Sequence, residues 1–140
     1  MSKLKRFSIS LDDDLVTRFD KEIREKNYPT RSKAIGDLIR EDFVKKEWIE
    51  WIEGKEVAGT ITLVYNHHKR ELVNRLTNIQ HDFHDFIISS QHVHLDYDNC
   101  LEMVVVKGKP KEVEKLAHRL KSTKGVKHGS LTMATTGKEI

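Results

Sequence analysis

The sequence predicts an α+β protein in which one strand and two helices precede a β-α-β-β-α-β domain. Within residues 4–11, Phe7, Ile9 and Leu11 alternate with Arg6, Ser8 and Ser10, and two segments with helical spacing follow directly. After residue 56 strand and helix patterns alternate, and the turn residues Gly54-Lys55-Glu56 mark the change. We therefore assign residues 1–52 to an N-terminal domain and residues 53–140 to a C-terminal domain.

The N-terminal domain is predicted to contain a strand and two helices. A strand is predicted at residues 4–11, because polar and apolar side chains alternate from residue 6 to residue 11 with the period of a half-buried strand. An aspartate of the run 12–14 is expected to cap the first helix. That helix ends before Pro29, because proline disfavours helical geometry in the residue before it. Thr30 is expected to cap the second helix, which is expected to end at Trp48 or at Trp51.

The C-terminal domain has six predicted elements. Strands are predicted at residues 57–65, 86–95, 100–107 and 126–134, and helices at residues 68–80 and 111–122. Gly108 and Pro110 separate the third of these strands from the second helix. This order of elements is the split βαβ, or ferredoxin-like, arrangement.

The composition restricts the class of protein. The chain has 25 basic and 22 acidic residues, and with 34% charged and 37% hydrophobic residues it has the composition of a folded, water-soluble protein. No apolar run of about 18 residues predicts a membrane span. No apolar signal region follows the basic residues at the N-terminus, because the aspartate run 12–14 intervenes. The single cysteine, Cys100, excludes an intrachain disulfide, so we expect a cytoplasmic protein.

The N-terminal strand has no partner strand within its own domain. Unpaired backbone groups are unfavourable, and a unit of about 50 residues buries little core. Pairing with the same strand of a second chain would give a two-stranded antiparallel ribbon with Arg6, Ser8 and Ser10 on its solvent face. Such a ribbon fits the major groove of double-stranded DNA. The alternative is an edge strand added to the sheet of the C-terminal domain.

The order of features in the N-terminal domain resembles that of ribbon-helix-helix DNA-binding domains. The shared features are the short basic strand, the acidic start of the first helix and the Thr30-Arg31-Ser32 opening of the second. The resemblance implies that Arg6, Ser8 and Ser10 contact DNA bases. It also implies that Thr30, Arg31 and Ser32 hold a DNA phosphate at the N-terminus of the second helix.

Histidines are concentrated in one part of the sequence, where six of the eight lie within 28 residues. His92 and His94 fall on one predicted strand and therefore point to one face of it. A hairpin turn centred on Tyr97 would place Cys100 opposite His94. These three side chains are candidate metal ligands, and His81 is a candidate for the fourth. Zinc, copper(II) and nickel(II) all accept such donors, so the spacing leaves the metal open.

Four segments of the C-terminal domain resemble the regulatory domain of NikR, the nickel-responsive transcriptional regulators. These segments are Gln80-His81, His92-Val93-His94, Cys100-Leu101-Glu102 and Gly125-Val126-Lys127-His128-Gly129. With the N-terminal domain included, the resemblance covers nearly the whole chain. It implies an ACT-type fold for the C-terminal domain.

The resemblance also implies a metal site. One square-planar nickel(II) ion per chain would be bound by His92, His94 and Cys100 of one chain and by His81 of a neighbouring chain. Further residues would orient these ligands, namely Gln80, Glu102, Tyr65 and His67.

The function implied by the resemblance is nickel-dependent repression of nickel-uptake genes. The protein would be a homotetramer, a dimer of dimers, bound to a dyad-symmetric operator in double-stranded DNA. Lys69 and Arg70 would contact the DNA backbone. The main alternative is a metal-independent ribbon-helix-helix repressor or antitoxin whose C-terminal domain binds a small molecule or a protein. A metalloenzyme or metal-storage protein is disfavoured, because four protein ligands leave no open coordination position for catalysis, and we expect no enzymatic activity.

One position departs from the family pattern. Members of the family often have glutamate at the position of Lys33, where it forms a cation site together with the residue equivalent to Asp37. The lysine of this chain leads to the hypothesis that its ammonium group takes the place of the cation beside Asp37.

Overall fold

The structure is a computed structural model that describes residues 3–50, 54–138 and 140 of the chain. The chain divides into two compact units, Met1–Glu41 and Asp42–Ile140. The predicted domain boundary between residues 52 and 53 lies outside the described residues and stays a prediction. Within the described ranges, no helix has the length and apolar character that crossing a membrane requires.

Two helices begin in the N-terminal unit, α1 (Asp13–Glu25) and α2 (Arg31–Ile49). Asp12 is at the N-cap position of α1, but its side chain makes no capping hydrogen bond, so the predicted cap is not formed. Two further aspartates lie in the first turn, where negative charge interacts favourably with the helix dipole. Thr30 caps α2 as predicted, because its Oγ1 accepts a hydrogen bond of 3.1 Å from the backbone N–H of Lys33.

The C-terminal unit is a four-stranded sheet with two helices. Its elements are β1 (Val57–Asn66), α3 (Arg70–Asp82), a 3₁₀ turn (His84–Phe86), β2 (Ile87–His94), β3 (Asn99–Gly108), α4 (Pro110–Lys121) and β4 (Val126–Met133). The strands are antiparallel in the order β2-β3-β1-β4. This confirms the predicted ferredoxin-like arrangement, whereas the 3₁₀ turn was not predicted.

The core of this unit lies between α3, α4 and one face of the sheet. Side chains along β1 and β3 alternate between buried and more accessible positions, as expected for a sheet covered on one face. The buried face includes Leu63 and Val104, and the helices contribute Leu76, Leu116 and Leu120. Strand β2 is at the edge of the sheet and seven of its eight residues are exposed. His92 and His94 therefore lie at an accessible border of a well-packed core, whereas Cys100 on β3 is buried within it.

Trp48 packs the last turn of α2 against the sheet. Its side chain is buried, and its indole N–H donates a 2.9 Å hydrogen bond to the backbone oxygen of Ala134. Gly59 permits this close packing, because a Cβ there would lie 2.9 Å from the backbone oxygen of Thr132 and 3.4 Å from the Trp48 ring. Trp51, the other predicted end of α2, lies outside the described residues.

The predicted N-terminal strand, residues 4–11, forms no strand within a single chain and does not join the C-terminal sheet. Its apolar side chains are exposed, with values of 71% for Phe7, 56% for Ile9 and 52% for Leu11. The predicted ribbon requires a second chain to satisfy the backbone groups of this segment. Pairing between chains therefore stays a prediction.

Candidate functional site

The hairpin formed by β2 and β3 has the predicted register. His94 pairs with Cys100, and His92 pairs with Glu102. Paired residues of an antiparallel ladder project from the same face of the sheet, so all four side chains point to the side that α3 and α4 cover. Tyr65 of β1 pairs with Cys100 from the other side and belongs to the same face.

Glu102 is the centre of a hydrogen-bond network behind the hairpin histidines. Its side chain is almost completely buried, and the Tyr65 hydroxyl donates to its Oε1 at 2.7 Å. The amide of Gln80, on α3, donates to its Oε2 at 2.8 Å. His92 Nε2 lies 3.4 Å from Oε2, and His92 Nδ1 lies 3.4 Å from the Tyr65 hydroxyl. The His92 ring thus lies beside this network, and the role of these residues in orienting a metal ligand stays a prediction.

The surroundings of Tyr65 and Cys100 keep both groups protonated. Burial raises the pKa of Tyr65, and the hydrogen bond to Glu102 raises it further, so the phenol remains a donor. Burial also raises the pKa of Cys100; the neighbouring Tyr65 hydroxyl opposes this effect, and the negative charge of Glu102 adds to it. The thiol therefore has to lose its proton when it becomes a metal ligand.

A stack of rings supports His94. The His67 ring is nearly parallel to the His94 ring, with 4.5 Å between centroids and an interplanar angle of 7°. His68 packs against His67 at 4.2 Å, and the Nε2 atoms of His67 and His68 both lie within 2.9 Å of the backbone oxygen of Tyr97. The His68 side chain is itself exposed. The adjacent pair His67-His68 was the only signal in the sequence for this contact.

The fourth predicted ligand lies on a different element. His81 is in the last turn of α3 and is exposed, and its backbone oxygen lies 3.0 Å from His84 Nδ1. The two rings are 6.0 Å apart between centroids. An exposed imidazole at the end of a helix is available to a second chain.

The donors of the hairpin fit a transition metal, because two imidazoles and a thiol face the same side of one ladder. Within residues 3–50, 54–138 and 140, no three histidine, cysteine or acidic side chains are grouped closely enough to hold a metal ion. A single chain therefore supplies donors on a common face but no complete ligand set. The predicted set of His81, His92, His94 and Cys100 stays a prediction.

The residues of the N-terminal domain that are predicted to contact DNA are accessible, but the Arg31 guanidinium is already bound to a carboxylate. The side chains of Arg6, Ser8, Ser10 and Ser32 are exposed. The Arg31 guanidinium forms two hydrogen bonds to Asp20 of α1, from Nε to Oδ1 at 2.8 Å and from Nη2 to Oδ2 at 2.6 Å. These bonds lower the pKa of Asp20. A phosphate would have to share Arg31 with this carboxylate.

Lys33 is next to Asp37, as the hypothesis about the cation site requires. The Lys33 ammonium lies 2.7 Å from Asp37 Oδ1, and Nη1 of Arg40 lies 3.4 Å from the same oxygen. The hydrogen bond from Lys33 lowers the pKa of Asp37. A positive charge of the protein itself thus lies beside this carboxylate.

Lys69 and Arg70 are at the start of α3. Lys69 is the N-cap residue and Arg70 is the first residue of the helix, and both side chains are exposed. They are accessible to the DNA backbone, and the contact itself stays a prediction.

Two family models match the chain. Residues 58–134 match the NikR C-terminal nickel-binding domain, and residues 5–45 match the ribbon-helix-helix proteins of the copG family. A solved structure of an uncharacterized protein from Thermotoga maritima aligns with a TM-score of 0.51 at 14% identity, over 56% of this chain and 98% of that one. At this identity the likeness concerns the fold alone.

Several relatives match over their whole length. A putative nickel-responsive regulator of Syntrophus aciditrophicus is 54% identical over 137 residues, which cover 98% of each chain. One of Nitratidesulfovibrio vulgaris is 54% identical over 140 residues, covering 100% of this chain and 99% of the relative. One of Thermococcus onnurineus is 53% identical over 138 residues, covering 99% of each.

Proposed function

The chain belongs to the NikR family of nickel-responsive transcriptional regulators, and we propose that it represses nickel-uptake genes by binding nickel at sites shared between chains. It is a nickel-dependent DNA-binding regulator and not an enzyme. The alternative of a metal-independent repressor or antitoxin disagrees with the match of residues 58–134 to a nickel-binding domain.

We propose that His92, His94 and Cys100 of one chain and His81 of a neighbouring chain bind one nickel ion per chain. The observation that supports this assignment is the register of the hairpin, in which His94 is opposite Cys100 and His92 is on the same face. Nickel(II), when bound, supplies strong bonds to imidazole nitrogen and thiolate sulfur. Cys100 loses its proton on binding, so we expect the affinity for nickel to rise with pH.

Other side chains position these ligands. Tyr65 and Gln80 hold the Glu102 carboxylate, which lies against His92, and His67 stacks on His94. Their proposed effect is to restrict the two imidazoles to orientations that bind metal. Loss of such supporting contacts typically weakens metal binding by about 10–100-fold.

The proposed DNA interface combines base and backbone contacts. A ribbon formed by two chains would present Arg6, Ser8 and Ser10 to the bases of a dyad-symmetric operator. Backbone contacts would come from residues at two helix starts, namely Thr30, Arg31, Ser32, Lys69 and Arg70. We expect the protein in the cytoplasm, the compartment in which Cys100 stays reduced and DNA is accessible.

The sheet offers surfaces for the proposed tetramer. Its outer face carries apolar side chains such as Val93 and Val105, which are 38% and 36% exposed, and the partly exposed Leu101. The edge strand β2 has backbone groups available for pairing. Packing of these faces between chains would bury apolar surface.

The test of this function is selection of binding sites from a random pool of duplex DNA, performed with nickel(II) and, in parallel, with a chelator. We expect a two-fold symmetric sequence to be enriched only with nickel. Equal enrichment under both conditions would contradict nickel dependence.

Two ligand variants and one control test the site itself. Cys100→Ala should lose both tight nickel binding and nickel-dependent DNA binding. His81→Ala should retain weakened nickel binding by the hairpin but lose the effect of nickel on DNA binding. His118→Ala, which removes an exposed imidazole of α4, should behave as the unmodified protein. Full nickel-dependent DNA binding by Cys100→Ala or His81→Ala would contradict the assignment.

A further inference from the structure

Asp20 is a carboxylate of α1 that binds an arginine of the proposed DNA interface. It accepts two hydrogen bonds, of 2.8 and 2.6 Å, from the guanidinium of Arg31, the first residue of α2. Two parallel bonds of this kind fix the plane of a guanidinium as well as its position. A side chain of the neighbouring helix therefore holds Arg31 in place before any DNA is bound.

The guanidinium of this pair keeps an open edge. The Arg31 side chain is 63% exposed, whereas that of Asp20 is 26% exposed. Asp20 occupies the N–H of Nε and one N–H of Nη2, so both N–H groups of Nη1 and the other N–H of Nη2 remain. Among the described residues, no other carboxylate forms an ion pair with Arg31. The open edge can therefore donate two hydrogen bonds to a second anion while Asp20 stays bound.

The start of α2 is a favourable place for that second anion. Thr30 caps the helix by accepting the N–H of Lys33. The backbone N–H groups of Arg31 and Ser32, in the same turn, have no acceptor within the helix. These groups and the helix dipole favour negative charge beside Arg31. A phosphate at this position could use the backbone and the guanidinium together.

A guanidinium that is already fixed binds an anion at a lower entropic cost. A free arginine side chain has many rotamers and loses them when a partner immobilises it. The pair with Asp20 imposes part of that loss in the protein without DNA. The opposing effect is repulsion between the Asp20 carboxylate and a phosphate, which the positive charge of Arg31 offsets.

We propose that Asp20 is a positioning residue for DNA binding. It holds the Arg31 guanidinium so that the open edge binds a DNA phosphate at the start of α2, and it does not itself touch DNA. This inference rests on the proposed function, in which Arg31 is a backbone contact. It assigns a role in DNA binding to a negatively charged residue of α1.

The sign of the effect distinguishes positioning from net charge. Asp20→Asn makes the protein more positive, so an effect of charge alone would strengthen DNA binding. Glu22→Gln is the matched control, because it also removes a carboxylate of α1 that is paired with a basic side chain, Lys26 at 2.7 Å. Binding is measured with nickel on the selected operator and on an unrelated duplex of equal length, at a temperature where circular dichroism shows each variant to be folded.

We expect Asp20→Asn to weaken binding about 2–10-fold for each DNA-bound chain, the cost of immobilising one side chain. The factor should be the same on both duplexes, since backbone contacts carry no sequence information. Glu22→Gln should not weaken binding.

Two changes at Arg31 separate positioning from a loss of folding. Arg31→Gln should reduce the slope of log K against log salt concentration by about 0.9 for each phosphate contact that is lost. In that background Asp20→Asn should cause no further weakening, because there is no guanidinium left to position. Arg31→Lys leaves Asp20 and the charge in place but lacks a second edge, so it should also weaken binding to both duplexes.

Unchanged or tighter binding by Asp20→Asn would overturn the inference and leave the proposed function intact. Equal weakening by Asp20→Asn with and without Arg31→Gln would also overturn it, since Asp20 would then act through the fold alone. Unchanged binding by Arg31→Lys would contradict the use of two edges. Failure of the unmodified protein to bind DNA in a nickel-dependent manner would instead overturn the proposed function.

Discussion

Replacing Tyr65 by phenylalanine removes one hydroxyl from the interior of the C-terminal unit and leaves the ring in place. That hydroxyl donates a 2.7 Å hydrogen bond to Glu102, a residue that is only 2% exposed. A hydrogen bond to a charged group contributes about 1.5–3 kcal/mol, and a buried acceptor without a donor carries a desolvation penalty of similar size. We expect Tyr65→Phe to lower the free energy of unfolding by about 2 kcal/mol.

Urea denaturation without nickel, followed by circular dichroism, measures this loss. The m value should not change, because the substitution alters stability and not the surface exposed on unfolding. In a thermal scan the melting temperature should fall by roughly 10 °C for a unit of this size. Tyr97→Phe is the matched control: Tyr97 is 83% exposed, so removing its hydroxyl should change stability by less than about 0.5 kcal/mol.

Equal losses for Tyr65→Phe and Tyr97→Phe would refute this reasoning, since the buried carboxylate would then not depend on the Tyr65 hydroxyl. A second comparison tests the charge of the acceptor. In a Glu102→Gln background the hydroxyl faces a neutral amide, so the cost of Tyr65→Phe should decrease to about 1 kcal/mol. Strict additivity of the two substitutions would mean that the two groups do not interact.

Two further predictions concern the N-terminal domain and its DNA contacts. Arg6→Ala should reduce discrimination between operator and unrelated DNA in a competition assay. Lys69→Ala should instead weaken binding to both DNAs alike and lower the slope of log K against log salt concentration by about 1. Equal losses of specificity in the two variants would contradict this division. The hydrogen bonds from Arg31 lower the pKa of Asp20. They therefore stabilise the folded protein at pH values above the ordinary carboxyl pKa of about 4. This stabilisation is lost as the pH falls through the lowered pKa of the folded protein. Asp20→Asn should therefore lower the melting temperature at pH 7 by more than it does in acid. If the difference in melting temperature between the variant and the unmodified protein stays the same as the pH falls, the ion pair of Arg31 with Asp20 does not contribute as proposed.

The elements of the C-terminal domain could be predicted to within two residues because their patterns are local. The apolar period changes between two and about 3.6 residues at each boundary, and Gly108 and Pro110 mark the end of one element and the start of another. The register of the hairpin was predictable for the same reason. A turn centred on Tyr97 fixes which residue of β3 is opposite His94.

Contacts between distant residues could not be predicted in this way. The pair of Arg31 with Asp20 joins side chains eleven residues apart on two helices, so the sequence alone suggested that the guanidinium was available for phosphate. The extent to which Glu102 is buried depends on how α3 packs on the sheet. Residues 4–11 are the opposite case: their pattern is local, but the strand that it predicts needs a second chain.

Nickel can control DNA binding only if the protein binds it more tightly in one arrangement of the chains than in another. A ligand shifts a conformational equilibrium only by the difference in its affinity for the two states. A shift from 1:99 to 99:1 requires a difference of about 10⁴-fold, or about 5.5 kcal/mol. His92, His94 and Cys100 lie on two adjacent strands in fixed register, so their contribution to metal binding is the same in every arrangement. In the proposed site the energy for regulation therefore comes from His81 of the other chain. We expect a protein with the hairpin but without His81 to bind nickel without responding to it.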